Sequence, residues 1–324
     1  MFDQLGRLEE TLQMREIEIP RPAAGQVLVK VMASPVNPSD FMYARGNYRL
    51  KPQLPAVAGL EGSGLVVATG TEMESIRPGT HVAFRARGVW AEYCLVEADR
   101  LYPIAPDLSF SQSAQLTLNA LTAYALLDEL GLQPGDTLLL NAAGSSVAFL
   151  LMQLALQRQI RIAALVSPGT DTGYFPRHDA LKVLSTDTPE LVQAVLAAGG
   201  TREGMNGFLD AVGGPALSEL LPAMAPFGKI ISYGNLSNDI AGISTSQIIY
   251  RNLSLAGFGI DQWREKLDRE RLQEIISGLA DAVAAGTLKL KPVVTVPLAD
   301  WKEGIRRISA GNAKMVWIAD PGSH

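Results

Sequence analysis

Residues Thr137 to Ser167, TLLLNAAGSSVAFLLMQLALQRQIRIAALVS, decide the fold. The first run, Thr137 to Asn141, is short and apolar, as a parallel strand buried on both faces must be. Ala142, Ala143, Gly144, Ser145 and Ser146 follow, all small enough for another backbone or a phosphate to come close. Val147, Leu150, Leu151 and Leu154 then recur at i, i+3, i+4 and i+7, one face of a helix laid against a sheet. Ile160 to Val166 is apolar again. The unit reads as strand, turn, helix, strand, with the helix N-terminus aiming its N–H groups at the turn, a place that suits a pyrophosphate. The same pattern also fits an ordinary crossover. The turn departs from G-x-G-x-x-G: only Gly144 is glycine, and Ser146 and Ala148 are small residues other than glycine. Alanine fits a strand–helix contact, whereas the Ser146 side chain either obstructs a phosphate or bonds it through its hydroxyl.

Working outward, the N-terminal residues to about 115 read as β-rich. VLVKV (27–31), GLVVA (64–68), THVAF (80–84), WAEYCLV (90–96) and Leu101 to Ile104 are short strand candidates between Gly and Pro clusters. The pattern suits a small irregular barrel. A long helix is expected from Ser111, as cap, to Leu130. After the Thr137–Ser167 unit, strand candidates at 181–184, 207–211, 229–232 and 253–258 alternate with helical patterns at 188–198, 215–225 and 244–250. Such alternation means a doubly wound parallel sheet. An amphipathic helix at 261–285 leads away from it, and the strand-like VVTVP and MVWIA are expected to return to the first domain.

The totals bound the function. A chain of 324 residues with 47 % hydrophobic residues suits about two globular domains. A net charge of −5 leaves no nucleic-acid footprint. No apolar run is long enough to span a membrane, and MFDQLGRLEE has no secretory h-region. The single cysteine, Cys94, cannot form an internal disulfide, which fits a reducing cytoplasm.

NPSDFMYARGNY (37–48), LPAVAGLEGSGLVVATG (54–70), LTLNALTAY (116–124), LDAVGG (209–214), SYGNLS (232–237) and LAGFGIDQW (255–263) stand in an order that resembles the medium-chain dehydrogenase/reductases. The likeness runs over nearly the whole chain and is strongest to the zinc-free branch of quinone oxidoreductases and 2-enoyl thioester reductases. It implies a Rossmann doubly wound sheet at 118–261 inserted in a β-rich GroES-like catalytic domain formed by 1–117 and 262–324. Zinc-bearing relatives have cysteine where this chain has Asn37 and histidine where it has Leu60, and neither substitute is a usual ligand. His81, His178 and His324 have no Cys or His at metal-ligand spacing, so no metal is expected.

An NAD-preferring Rossmann domain usually ends its second strand in Asp or Glu, to bond the ribose 2′-hydroxyl. Ser167, Pro168 and Gly169 stand there instead, with no carboxylate before Asp171, and Ser167, Tyr174 and Arg177 can supply donors and charge for a 2′-phosphate. NADPH is therefore the expected cofactor, although the family's basic residues after that strand are missing. Gly144, Ser145, Ser146 and Val147 belong to the turn that suits the pyrophosphate; the resemblance further implies that Thr122, Tyr233, Gly234, Gly257 and Phe258 lie along the cofactor, with Asn119 on the helix face of Thr122 at i, i+3. It places Tyr48 at the substrate as the proton donor, with Asn37 in support and Trp263 lining the pocket. The implied reaction is hydride transfer to the conjugated C=C of a 2-enoyl thioester. Reduction of a quinone in the same cleft and a non-catalytic nucleotide sensor are the alternatives. The apolar stretch NLSLAGFG (252–259), last in the strand series, is expected to be a sheet edge that pairs with its copy in a homodimer.

Overall fold

The computed structural model describes residues 1–71, 76–201, 203–237, 239, 241–309 and 314–319. They form two compact units, Met1–Leu118 with Arg269–His324, and Asn119–Asp268. Among the described residues the strands are β1 (Gln26–Pro35), β2 (Glu61–Thr69), β3 (His81–Arg85), β4 (Tyr93–Glu97), β5 (Leu101–Pro103), β6 (Thr137–Leu140), β7 (Arg161–Val166), β8 (Leu181–Ser185), β9 (Met205–Asp210), β10 (Met224–Ser232), β11 (Ser254–Gly257), β12 (Val293–Pro297) and β13 (Lys314–Ile318). No helix among them is long and apolar enough to cross a membrane.

The second unit grows from the central run. Thr137–Leu140 is buried throughout as β6, and the helix Ser146–Gln157 returns the chain to the parallel β7. The six strands lie in the order β11-β10-β9-β6-β7-β8, every adjacent pair parallel. The chain thus builds one way from β6 through β7 to β8, then restarts at β9 on the other side and builds to β11. This is the doubly wound order, with its reversal between β6 and β9. One face packs Leu139, Leu165, Phe208 and Ile230 against helix residues Val195, Leu217 and Leu220. β11 is an edge, as the position of NLSLAGFG in the series requires.

In the first unit seven strands join, in the order β12-β13-β1-β2-β3-β5 with β4 also on β1. The C-terminal tail does return: β13 pairs antiparallel with β1, Ala33 opposite Ile318, and β12 lies parallel to β13. Val27, Val29, Val66, Val82, Phe84 and Val96 close one core. A second gathers Phe2, Tyr43, Trp90, Trp301 and Trp317, with the rings of Trp90 and Trp317 edge to face at 5.5 Å.

Two expected helices are broken, each for a local reason. The one expected from Ser111 to Leu130 starts earlier, because Ser109 is the cap: its hydroxyl accepts from Gln112 N, and Gln112 Oε1 accepts from Ser109 N. That helix covers only Phe110–Ser113, a π-helical turn follows over Leu116–Ala120, and the α-helix resumes at Leu121–Leu130. The widened turn presents Thr117 to the buried Glu61, whose Oε2 accepts from Thr117 Oγ1 at 3.2 Å. The helix expected over 261–285 splits into Ile260–Arg264 and Arg269–Ala284. Three-residue bonds, Lys266 N to Trp263 O and Leu267 N to Arg264 O, tighten and end the first piece.

Candidate functional site

In the second unit the chain leaves each strand at the carboxyl edge of the sheet. The turn after β6 is held by Ser145 N donating to Ala142 O and Ala143 N to Leu165 O, both 2.9 Å. Ala142 sits at φ 46°, a left-handed conformation that glycine adopts without strain and alanine does not. Ser145 caps the helix: its hydroxyl accepts from Ala148 N at 3.2 Å. Among the described residues nothing bonds the N–H groups of Ser146 and Val147, and both residues are partly exposed. Two free donors at the positive end of a twelve-residue helix make an anion site, and a pyrophosphate fits it. Ala148 is fully buried against the sheet, as expected of the small residue at that place.

The floor beside the turn is a polar latch that sequence reading passed over. Asn141, at the end of β6, donates through Nδ2 to Asp210 Oδ1 at 2.6 Å and accepts from Ala211 N at 2.7 Å. Asp210, ending β9, also accepts from Val212 N, Gly213 N and Ser232 Oγ. Its position just before a Gly-Gly pair in LDAVGG was the available signal, because an aspartate can hold the N–H groups of a turn that follows it. Tyr233 N donates to Asp210 O, and a Cβ on Gly234 would lie 2.4 Å from Ala211 O, so only glycine lets the chain pass there. The Tyr233 phenol lies by Ser145; burial raises its pKa, with Ser145 opposing and Asp210 adding.

The structure thus brings Gly144, Ser145, Ser146, Val147, Tyr233 and Gly234 to neighbouring strand ends around the reversal of strand order. Tyr174 joins them, its hydroxyl donating to Gly144 O at 3.2 Å and its ring edge-on to Phe149 at 5.4 Å. Ser167 and Arg177 are exposed on the loop between β7 and β8. Phe258 follows β11, and its N–H is already used, donating to Ser232 O at 2.9 Å. Asn119 and Thr122 are both buried, but on different helical geometries: Asn119 in the π-turn, Thr122 in the α-helix after it. Trp263 is buried, edge-on to Tyr124.

Tyr48 and Asn37 belong to the first unit. Tyr48 is half-buried against the core that holds Tyr43, Trp90 and Trp317, and the Arg49 guanidinium stands 6.0 Å from its ring centre. Asn37 caps the helix Pro38–Ala44 and is buried; its N–H donates to Asp40 Oδ2 at 2.7 Å. Its side chain lies between opposite charges, with Nδ2 donating to Glu61 Oε1 at 2.7 Å and Oδ1 accepting from Lys314 Nζ. Burial raises the pKa of Glu61, and Lys314, Asn37, Arg85 and Thr117 oppose that rise. Burial also pushes Asp40 up to about 7 and Lys314 down to about 8. An amide wedged between an ammonium and a carboxylate, with the alkyl Leu60 before Glu61, is a poor donor set for zinc. Among the described residues no cluster of three or more His, Cys, Asp or Glu could hold a metal. Cys94 is buried, and burial pushes its thiol up to about 12, so it stays protonated.

Comparison with known proteins agrees with this geometry. Residues 23–106 match the alcohol dehydrogenase GroES-like domain, and 180–314 match the domain described as zinc-binding dehydrogenase. The chain is 30% identical over 321 residues to the mitochondrial enoyl-acyl-carrier-protein reductase of Xenopus tropicalis, covering 94% of this chain and 90% of that protein. Quinone oxidoreductase of Pseudomonas syringae superposes with a TM-score of 0.87 at 25% identity, covering 98% of each chain. Escherichia coli quinone oxidoreductase, solved with NADPH, also superposes with a TM-score of 0.87, at 23% identity and 98% coverage of each chain.

Proposed function

The chain belongs to the medium-chain dehydrogenase/reductase superfamily, in its zinc-free branch of enoyl and quinone reductases, and on that footing we propose that it is an NADPH-dependent 2-enoyl thioester reductase. The observation that carries the acceptor class is the near full-length match to the Xenopus tropicalis enoyl reductase. The cofactor's share rests on the second unit. Ser146 and Val147 N–H groups receive the pyrophosphate, and the glycine passage at 234 leaves room along the strand ends. Ser167, Pro168 and Gly169 after β7 put no carboxylate against a 2′-phosphate, which favours NADPH over NADH.

NADPH supplies the hydride. The chain's residues must then orient the acceptor and move one proton. As hydride reaches Cβ, charge builds on the thioester oxygen and Cα, and Cα must be protonated. Tyr48 is the proposed donor, through its phenolic O–H. Asn37, its amide held in one orientation, supplies a polar group on the acceptor side. No bound metal enters this scheme.

Quinone reduction is the second reading, favoured by the likeness to the Pseudomonas syringae structure. One panel separates the two: NADPH oxidation with crotonyl-CoA, a long-chain enoyl-CoA, a simple enal and a naphthoquinone. Turnover of enoyl thioesters well above quinone supports the proposal; turnover of quinone alone replaces it. We further propose a homodimer formed through β11. All four residues of that edge strand are exposed, and the helix before it, Thr245–Arg251, exposes Ile249 and Tyr250.

A further inference from the structure

Lys314 is the residue in the polar cluster of the first unit that nothing in the sequence singles out. It opens β13, and its ammonium donates to Val36 O at 2.9 Å and to Asn37 Oδ1. On the other side of the same amide, Asn37 Nδ2 donates to Glu61 Oε1, and Glu61 takes its second bond from Thr117. Asn37 is 3% exposed and Glu61 0%, so water does not compete for the contact between them. An amide has a donor end and an acceptor end, and flipping the Asn37 side chain would set N–H against ammonium and oxygen against carboxylate. In a buried place both reversals are strongly unfavourable. The cation and the anion together therefore leave the amide one orientation.

We propose that Lys314 is a positioning residue for the acceptor side of the reaction: with Glu61 it locks the Asn37 amide in a single orientation, and it balances the buried carboxylates Glu61 and Asp40. This rests on the proposed place of Asn37 beside the acceptor. The charge of Lys314, and not only its length, does the locking. A neutral amine can accept as well as donate, so the lock loosens when the ammonium loses its proton. The groups facing it are Glu61 and Asp40, which favour the charged form, and Lys291, which disfavours it; Arg85 lies by Glu61. Burial outweighs the carboxylates and brings the transition to about 8.

The experiment compares wild type, Lys314→Arg and Lys314→Met. Turnover of whichever acceptor the wild type uses is followed from about pH 6 to about pH 10. Lys314→Met should lose roughly tenfold or more in kcat with the KM for NADPH unchanged, the scale of a misplaced acceptor group. Lys314→Arg should recover most of kcat and carry the alkaline fall to higher pH, because guanidinium stays charged. A readout independent of activity uses protein labelled with nitrogen-15 at asparagine, the Asn37 amide signals being identified by their loss in Asn37→Asp. They should move as pH passes about 8 in wild type and stay fixed in Lys314→Arg. Asn37 signals that ignore pH in wild type, or Arg and Met variants equally impaired with an unmoved alkaline limb, overturn the proposal. A wild type that reduces none of the acceptors but shows the Asn37 shift sinks the proposed function and leaves the lock standing.

Discussion

Asn141 Nδ2 donates to Asp210 Oδ1 at 2.6 Å, joining the carboxyl ends of β6 and β9 on the two sides of the reversal in strand order. Asp210 also holds the Val212 and Gly213 N–H groups and Ser232 on β10, so one buried carboxylate fixes three strand ends and the turn between them. Asp210→Ala leaves the buried Asn141 amide and three partly buried donors without this acceptor. The expected loss is about 2 kcal/mol or more, read from the urea midpoint. NADPH affinity should fall with it, because the crevice floor is no longer pinned. A variant with the wild-type midpoint would show that the latch contributes nothing.

Tyr48→Phe removes the proposed proton donor and leaves a ring that still fills its place against the Tyr43 and Trp90 core. Turnover of enoyl thioester should drop on the order of a hundredfold, the usual worth of a positioned acid. NADPH binding, followed by fluorescence titration, should hardly move. Wild-type turnover in the variant would take Tyr48 out of the mechanism.

At the turn, Ser146 stands at the first position of the helix with its N–H unbonded. Ser146→Gly should be tolerated, since the donor is a backbone group. Ser146→Leu sets a branched side chain at the proposed pyrophosphate site and should weaken NADPH binding at least tenfold, or about 1.4 kcal/mol. Normal binding by the leucine variant would mean that the cofactor lies elsewhere.

These sites were legible to different degrees in the sequence, for physical reasons. The strand Thr137–Leu140 and the helix after it announce themselves because burial imposes a period, and periods are visible in one dimension. Ser145 and Ser146 follow from the same logic, being the small residues between the two. The helix breaks after Ser113 and Arg264 were not visible, because the apolar spacing runs straight across them. In the widened turn after the first break Thr117 meets Glu61, a contact across the fold. Lys314 and Asp210 were missed for a related reason. A lone lysine near a C-terminus and an aspartate at the end of a strand read as solvated residues until the chain brings Asn37 to the one and Asn141 to the other. Ala142 gave no signal either, since its positive φ is set by the turn closing around it.

Asp40 makes stability depend on pH in a stated direction. Burial lifts it from 3.8 to about 7, with the Asn37 N–H opposing, and the neighbouring Glu61 adds to the rise. Between those values the folded chain holds a proton that the unfolded chain has released. The contribution is therefore present at low pH and lost as pH rises toward 7. Asp40→Asn keeps an acceptor for the Asn37 N–H and cannot ionise. The variant's unfolding free energy relative to wild type, read from urea denaturation, should climb steadily from about pH 4 to about pH 7, by an amount on the order of a few kcal/mol at most. A flat or falling difference would show that Asp40 is ionised in the folded chain throughout.

The dimer proposal can be tested at one backbone donor. Phe258 N–H points inward, donating to Ser232 O on β10. Alternate residues of a strand point their N–H groups the same way, so Ala256 and Ser254 also face β10, whereas Leu255 and Gly257 face the open edge. A proline at 254 would strip β11 from its own sheet and say nothing about a partner. Leu255→Pro removes a donor on the open side only, where proline is compatible with an edge strand. It also takes away an apolar side chain that is 41% exposed. Nothing charged lies within Ser254–Gly257 to discourage pairing. Light scattering at micromolar concentration should therefore find wild type as a dimer and Leu255→Pro shifted toward monomer, with far-ultraviolet circular dichroism unchanged. A monomeric wild type would end the proposal, and a dimer indifferent to the proline would place its interface on another surface.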